Sequence, residues 1–240
     1  MKKHPVLALG ILLSWHGTGQ ATTWAETSVP DPIDSSKKCD VHSPLSYGSY
    51  IYGWPSKYDQ VFWPFTDQAG IWYCKDTGFV AFIDDFGDIT PDERKAIAEF
   101  LARKGKPADF KGRLERLEEI YALRHKDPRF RNRLLRILAR WHQELGDRDR
   151  ANAYRKTALA DILKSLEGEL PEDQRLMYLY LAASYSRLFG GIAASDRYFS
   201  LLQTATGSVK DKKFAGYAKY LSELADETLK HWKPGSADYP

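Results

Sequence analysis

From residue 90 onward, apolar residues recur at the three- and four-residue spacing of amphipathic helices, in one segment after another. The first of these helices has a clear start signal. Thr90 and Glu93 form the pattern of a capping box, and Pro91 stands at the first helical position. Helices joined by short turns pack most simply as antiparallel hairpins. The sequence therefore predicts a helical-hairpin domain over residues 89–233, followed by a flexible tail at 234–240.

Residues 39–88 have a different character, with many aromatic residues, few helix formers and frequent turn residues. The stretches SYIYGW, GIWYC and GFVAFI predict short strands. Between residues 47 and 86, 13 of 40 residues are aromatic, and a small sheet needs such large side chains to bury a useful area. We predict a small aromatic β-rich module here, and an α+β fold, predominantly α, for the whole chain.

Residues 1–25 have the order of a secretory signal peptide. A positive N-terminus precedes a short apolar run from Val6 to Trp15, and small or polar residues follow. We expect cleavage near Ala21 or Ala25. The apolar run is shorter than the roughly 20 residues that a membrane-spanning helix needs, so the expectation is a periplasmic or secreted protein without an integral membrane segment.

The charge balance after the leader excludes one class of partner. The leader carries Lys2 and Lys3 and no acidic residue, so its removal lowers the formal net charge from +3 to +1. A nearly neutral exported protein is not expected to bind nucleic acid. Proline, serine and charged residues without periodicity then predict a flexible linker at residues 26–38.

The two cysteines, Cys39 and Cys74, flank the aromatic segment. In an oxidising compartment a disulfide between them would close a loop of about 35 residues and contribute about 3–4 kcal/mol in the chain-entropy model. Free thiols are one alternative, and a zinc site using Cys39, His42 and Cys74 is another. Structural zinc needs four ligands, and Thr77 stands where a further cysteine would be expected. We predict the disulfide, with no metal and no other cofactor.

Two helical segments, 134–159 and 178–202, can be laid over each other. In each, a small residue lies three positions before a ring, and glycine, alanine and an aromatic residue follow. These residues are Ala139, His142, Gly146, Ala151 and Tyr154 in the first segment, and Ala182, Tyr185, Gly190, Ala194 and Tyr198 in the second. This order resembles the tetratricopeptide repeat, whose small residues let paired helices approach closely. The interval of 43 residues exceeds the usual period of about 34, and generic amphipathic hairpins are the alternative.

A second resemblance covers most of residues 39–205. The stretch CKDTGFVAFIDDF, followed by LARWHQELGD and YLYLAASYSRLFGG, is similar to an uncharacterised bacterial family. That family joins a zinc-ribbon-like N-terminal segment to tetratricopeptide-like helices. The resemblance implies the same architecture with part of the metal-ligand set lost, because only one cysteine remains in CKDTG.

One helix of the predicted hairpins carries a basic face. The residues that share this face, opposite Leu134, Leu135 and Leu138, are Arg129, Arg133, Arg136 and Arg140. The face could contact an acidic partner, anionic lipid headgroups or cell-wall phosphates. The alternative is a solvated face whose charges pair locally with Asp127, Glu144 and Asp147.

The aromatic segment allows a second kind of site. Burial in the module accounts for most of its rings, whereas outward-facing rings could form a platform for sugars or a peptide. The candidate platform residues are Trp54, Trp63 and Trp72.

The sequence gives less support for a catalytic site than for a binding surface. The sequence contains no G-x-S-x-G nucleophile motif, and the acidic residues between 84 and 93 do not follow the spacing of a calcium loop. We therefore predict an exported, non-catalytic binding or scaffold protein of the bacterial envelope, with a tetratricopeptide-like groove for a protein or peptide partner. A carbohydrate- or cell-wall-binding module is the first alternative, and a hydrolase with a convergent carboxylate pair is the second.

Overall fold

The computed structural model describes residues 23–46 and 55–231 of the chain. Four strands form two small sheets: β1 (Thr23–Pro30), β2 (Lys38–Ser46), β3 (Ile71–Tyr73) and β4 (Val80–Phe82). The helices are α1 (Ser56–Asp59), α2 (Pro91–Ala102), α3 (Phe110–Ala122), α4 (Pro128–Glu144), α5 (Arg148–Leu166), α6 (Glu172–Leu188), α7 (Ile192–Gly207) and α8 (Ala215–His231). The α+β fold, predominantly α, is confirmed. The candidate leader up to residue 22, the stretch SYIYGW with Trp54, and the tail at 234–240 lie outside the described residues.

The predicted linker at 26–38 is wrong, because most of it is strand β1 and the turn that follows. β1 pairs antiparallel with β2, with Glu26 opposite His42 and Val29 opposite Cys39. The Asp31 carboxylate closes the turn by accepting from the amides of Ile33 and Asp34. One side of this two-stranded ribbon faces solvent, so its polar composition resembles that of a linker.

The disulfide between Cys39 and Cys74 is confirmed, and both residues are buried. Their Cα atoms are 4.7 Å apart. The Asp31 carboxylate lies close to the sulfurs and accepts from the Thr77 hydroxyl at 2.8 Å. His42 cannot join Cys39 in a shared site on this strand, because residues three apart in a strand point to opposite faces.

The hairpin β3–β4 forms as predicted, and Gly78 provides the turn with a φ of +80°. Most rings of the aromatic segment point inward, which confirms that interpretation for the described residues. The fully or nearly fully buried rings are Tyr58, Phe65, Phe79, Phe82 and Phe86. All of them except Tyr58 belong to a first core, which also contains apolar residues of α2, α3 and α4.

Helix starts follow the predicted chemistry. The Thr90 hydroxyl accepts from the Glu93 amide at 3.3 Å, and the Glu93 carboxylate accepts from the Thr90 amide at 3.0 Å. The Glu93 carboxylate also accepts from the His125 amide. Asp127 caps α4 and Asp147 caps α5 in the same way as Thr90 caps α2.

The later helices pack as hairpins, α4 with α5 and α6 with α7, and α8 packs against both α6 and α7. Ala139, Ala151 and Ala182 are fully buried, as the aligned pattern predicts. Ala194 is exposed, and its neighbour Ser195 takes the buried position. Both turns contain three residues, 145–147 and 189–191, with Gly146 and Gly190 at the same left-handed position. The difference of one residue therefore lies in α6, where buried Ala183 is the counterpart of Ala139.

A second core lies among α5, α6, α7 and α8. Leu135 of α4 packs against both cores, so α4 joins the N-terminal module to the later helices. Tyr58 also belongs to the second core, although its place in the sequence is within the aromatic segment. The chain around Tyr58 therefore crosses from one part of the molecule to the other.

Candidate functional site

Residues 55–62, which we call the inserted segment, leave the N-terminal module and lie against the helical hairpins. α1 within this segment packs on α4 and α6. The Tyr58 ring packs edge-on against Tyr185 with ring centres 5.3 Å apart, and the Arg155 guanidinium lies 5.3 Å from the same ring. Lys57 pairs with Glu227 of α8. The inserted segment thus covers part of the surface of α4 and α6.

The inserted segment is held by a fully buried carboxylate. Arg155 donates to both oxygens of Asp59, at 3.0 and 2.8 Å, and the Tyr185 hydroxyl donates at 2.6 Å. Burial alone would lower the pKa of Arg155, but the Asp59 carboxylate raises it above its usual value. Burial also raises the pKa of Tyr185, and the negative charge of Asp59 adds to that effect. Asp59 thus ties the inserted segment to α5 and α6.

Two arginines of the predicted basic face secure the same segment. Arg136 is 1% exposed and donates to the backbone carbonyls of Asp59 and Gln60, at 2.7 and 3.0 Å. Arg140 is also buried; its Nε donates to the Ser56 hydroxyl at 2.7 Å. The prediction of a solvent-facing basic surface is wrong for these two residues, because residues 55–60 cover the side of α4 that lies opposite its leucines.

The other two arginines of this face remain accessible. Arg129 is exposed and pairs with Asp173 of α6 at 2.6 Å. The Arg133 guanidinium lies between two rings, 4.9 Å from the centre of Phe65 and 5.1 Å from that of Phe130. In residues 23–46 and 55–230, no carboxylate lies within salt-bridge distance of Arg133. Arg133 is thus a partly exposed cation held in place by aromatic rings.

Arg133 lines a groove of about 570 Å³, which we call the helical groove. The groove lies where the inserted segment ends, between α4, α6 and the start of α8. Its lining residues are Gln60, Phe62, Asp127, Arg129, Phe130, Arg133, Arg136, Asp173, Met177, Phe214 and Tyr217. Apolar and aromatic walls with a few charged groups are typical of ligand sites of this size.

A second and larger groove, of about 830 Å³, lies beside strands β1 and β2, and we call it the sheet groove. Trp72 lines it, as does Trp24, which sequence analysis missed because Trp24 falls inside the predicted leader. Trp63 lines neither groove; its ring packs at a tilt against Trp24, with centres 6.2 Å apart. The sequence signal for a strand at Trp24 is the set of β-branched residues around it, Thr23, Thr27 and Val29.

The acidic residues before α2 have a structural role at one position. Arg124 and Lys126 both pair with the Asp85 carboxylate, at 2.7 and 2.6 Å. The Tyr121 hydroxyl donates to the same carboxylate at 2.9 Å. These contacts fasten the end of the N-terminal module to the loop between α3 and α4.

Comparison of the chain with protein-family models, with curated proteins and with solved structures finds no match. The resemblances drawn from the sequence therefore stay predictions. Among the helices that the structure describes, none has the length and apolar character needed to cross a membrane.

Proposed function

We propose that the chain is an exported, non-catalytic binding or scaffold protein of the bacterial envelope, which holds a protein or peptide partner in the helical groove. The observation that carries the proposal is Arg133, a cation without a carboxylate partner in the described residues, fixed between two rings at the groove wall. The hairpin architecture supports it, because stacked hairpins commonly bind extended partners.

The chemistry of the groove favours an acidic partner with an apolar anchor. A guanidinium is a planar donor that matches a carboxylate through two hydrogen bonds. Stacking on Phe65 and Phe130 restricts the Arg133 side chain, so less freedom is lost when a carboxylate binds. Met177, Phe214 and Tyr217 line the groove and can contact a large apolar side chain. The partner segment then carries Asp, Glu or a free C-terminus next to such a residue.

The partner binds beside the inserted segment and does not replace it. Displacing residues 55–60 would leave Arg155 and Arg136 buried without their acceptors, which costs several kcal/mol. The helical groove is the part of this surface that the inserted segment leaves open.

A peptide-display screen tests the proposal. The chain without its leader is screened against random peptides, and the selected peptides are counter-screened on Arg133→Gln. We expect enriched sequences to place an acidic residue or a C-terminal carboxylate beside an aromatic or long aliphatic residue. Synthetic versions of these peptides should bind Arg133→Gln at least about tenfold more weakly, because a charge-assisted hydrogen-bonded pair is lost.

Arg131→Gln is the matched control, since Arg131 is exposed on the same helix and does not line the groove. It should bind the peptides as tightly as the unchanged chain. Peptides that bind both variants equally well, or an absence of any acidic motif among the selected peptides, would count against the helical groove as the partner site.

The structure also bears on where a leader would be cleaved. The Trp24 indole donates to the Asp67 carboxylate at 2.9 Å, so cleavage after Ala25 would remove a residue that holds the module together. Cleavage after Ala21 leaves β1 complete. We expect the exported protein to begin at Thr22, which mass spectrometry of the purified periplasmic or secreted form will test; a start at Glu26 would contradict this expectation.

A further inference from the structure

We infer that the sheet groove binds a neutral glycan chain, a second site that lies outside the helical groove and goes beyond the function proposed above. About 830 Å³ of space is bounded by the β1–β2 ribbon on one side and by residues 67–75 on the other. That volume falls in the range of established small-ligand sites. The inference rests on how the groove presents its rings and on the balance of its charges.

The two indole rings of the groove are fixed in partly exposed positions. Trp72 donates its Nε1–H to the carbonyl of His42 at 2.9 Å, and its ring packs edge-on against Phe86. Trp24 donates its Nε1–H to Asp67 and packs against Trp63. Each indole therefore has its polar atom satisfied inside the module, while part of its ring stays accessible. Rings held in this way need no reordering before the C–H face of a sugar stacks on them.

Polar groups of both kinds surround the rings. Glu26, Asp40 and His42 line the ribbon side of the groove, and Lys75 and Arg113 line the other side. Glu26 and Asp40 accept hydrogen bonds, and Lys75 and Arg113 donate them. Sugar hydroxyls both donate and accept, so this mixture can pair with several hydroxyls of one chain.

The charge balance separates a neutral glycan from an anionic polymer. The groove contains three carboxylates and two permanent cations, contributed by Glu26, Asp40, Asp67, Lys75 and Arg113. Arg113 also stacks on Tyr73 at 4.8 Å, which restricts its reach. A phosphate- or sulfate-rich chain would meet these carboxylates at close range, whereas a neutral chain meets no such repulsion.

Titration calorimetry on the chain without its leader tests the inference. The probes are the tetramers of β-1,4-linked N-acetylglucosamine, of β-1,4-linked glucose and of α-1,4-linked glucose. We expect saturable binding of at least one tetramer, with a change in tryptophan fluorescence. Asp40→Ala should weaken it at least about tenfold, because an ionised acceptor is lost. Asp40 is exposed, so this variant is expected to fold.

Asp76→Ala is the matched control, an exposed carboxylate of the same module that does not line the groove. Its affinity should stay within about twofold of the unchanged chain. Arg133→Gln should also keep its glycan affinity, which makes failure of this site distinguishable from failure of the helical groove. The inference is overturned if no tetramer binds at millimolar concentration, if Asp40→Ala binds normally, or if acidic peptides rather than glycans lose affinity in Asp40→Ala.

Discussion

The basic face of α4 has two ends: a closed end, which the inserted segment covers, and an open end, which it leaves uncovered. At the closed end, Arg136 and Arg140 are buried and bind the inserted segment. At the open end, Arg129 is exposed and Arg133 is partly exposed beside the helical groove. The four arginines lie on one helix, three or four residues apart, and so share one face of it. Their position on the helix therefore does not decide which of them are buried. What decides it is whether another part of the chain covers them.

A predominantly helical chain can thus cover part of its own helical surface with a segment from another part of the sequence. At one end of the hairpin surface, the inserted segment is held by the buried Asp59 carboxylate and by two backbone carbonyls that accept from Arg136. At the other end it leaves the helical groove and its aromatic lining uncovered. The closed end determines stability, and we propose that the open end determines recognition. Substitutions at the two ends should therefore separate these two properties.

The largest effect is expected from Asp59→Ala, which removes the anchor of the closed end. Arg155 would stay buried without its carboxylate, and breaking a buried ion pair from one side costs about 3–5 kcal/mol. Urea unfolding monitored by circular dichroism measures this loss. Asp161→Ala, at an exposed position of α5, should change the free energy of unfolding by less than about 0.5 kcal/mol. A loss below about 1 kcal/mol in Asp59→Ala would show that Asp59 does not anchor the segment.

A slightly smaller effect is expected when the disulfide is removed. Cys39 and Cys74 close a loop that contains the inserted segment, with a sequence separation of 35 residues. The double variant Cys39→Ala/Cys74→Ala should lose about 3–4 kcal/mol, since the unfolded chain regains the freedom of that loop. Reduction of the unchanged protein should lower its unfolding midpoint in the same direction but leave that of the double variant unmoved. An unchanged midpoint for the double variant would contradict this role.

The most direct test of the difference between the closed and open ends replaces one arginine at each end. Arg136→Gln removes the donor of two buried carbonyls and should cost about 2–3 kcal/mol of stability. Arg133→Gln loses only its stacking on two rings and should cost less than about 1 kcal/mol per ring contact. Thermal and urea unfolding of both variants, run side by side, measure the difference. Equal losses would remove the distinction between the two ends.

The smallest effect is a dependence of stability on pH through His142 of α4. Its side chain is fully buried, and Nε2 has no hydrogen-bond partner among the described residues. Burial lowers the pKa of His142, and the nearby Arg150 lowers it further, while Asp147 opposes both. The folded state thus binds this proton less readily than the unfolded state. The free energy of unfolding should therefore fall as the pH drops below about 6.5.

His142→Phe keeps a ring at this position and removes the titration, so its stability should change less over the same pH range. His125→Phe is the control, because His125 is exposed. Glu93 and Glu119 have lowered pKa values, and their stabilising contributions are lost only at more acidic pH, below about 4.5. Urea unfolding between about pH 7.5 and pH 5.5 therefore isolates the histidine. Parallel profiles for the unchanged chain and His142→Phe would contradict its role.

Local patterns in the sequence predicted local structure well. The capping box at Thr90, the helix that begins at Pro128 and the hairpin around Gly78 all form as expected. The cysteine pair was also predicted, since export and only two cysteines leave one possible intramolecular bridge. Each of these features depends on neighbouring residues or on a very small number of possible pairings.

Features that depend on distant pairing were not predicted. Strand β1 has the composition of a linker, and neither its partner β2 nor its solvent-facing side can be recognised from that composition. Arg136 was expected at a surface because its acceptors, the carbonyls of residues 59 and 60, are 77 and 76 positions away in the sequence. Of the candidate site residues, Trp72 lines the sheet groove and three arginines line the helical groove, Arg129, Arg133 and Arg136, while Trp24 was found only from the fold.

The Asp59 anchor also has a consequence for the order in which the protein matures. Its acceptor oxygens meet Arg155 and the Tyr185 hydroxyl, which lie 96 and 126 positions further along the sequence. A ribosome delivers residue 59 long before residue 185, so the nascent chain carries this carboxylate without its partners during most of translation. The N-terminal module cannot reach its final docked arrangement until nearly the whole polypeptide has been synthesised.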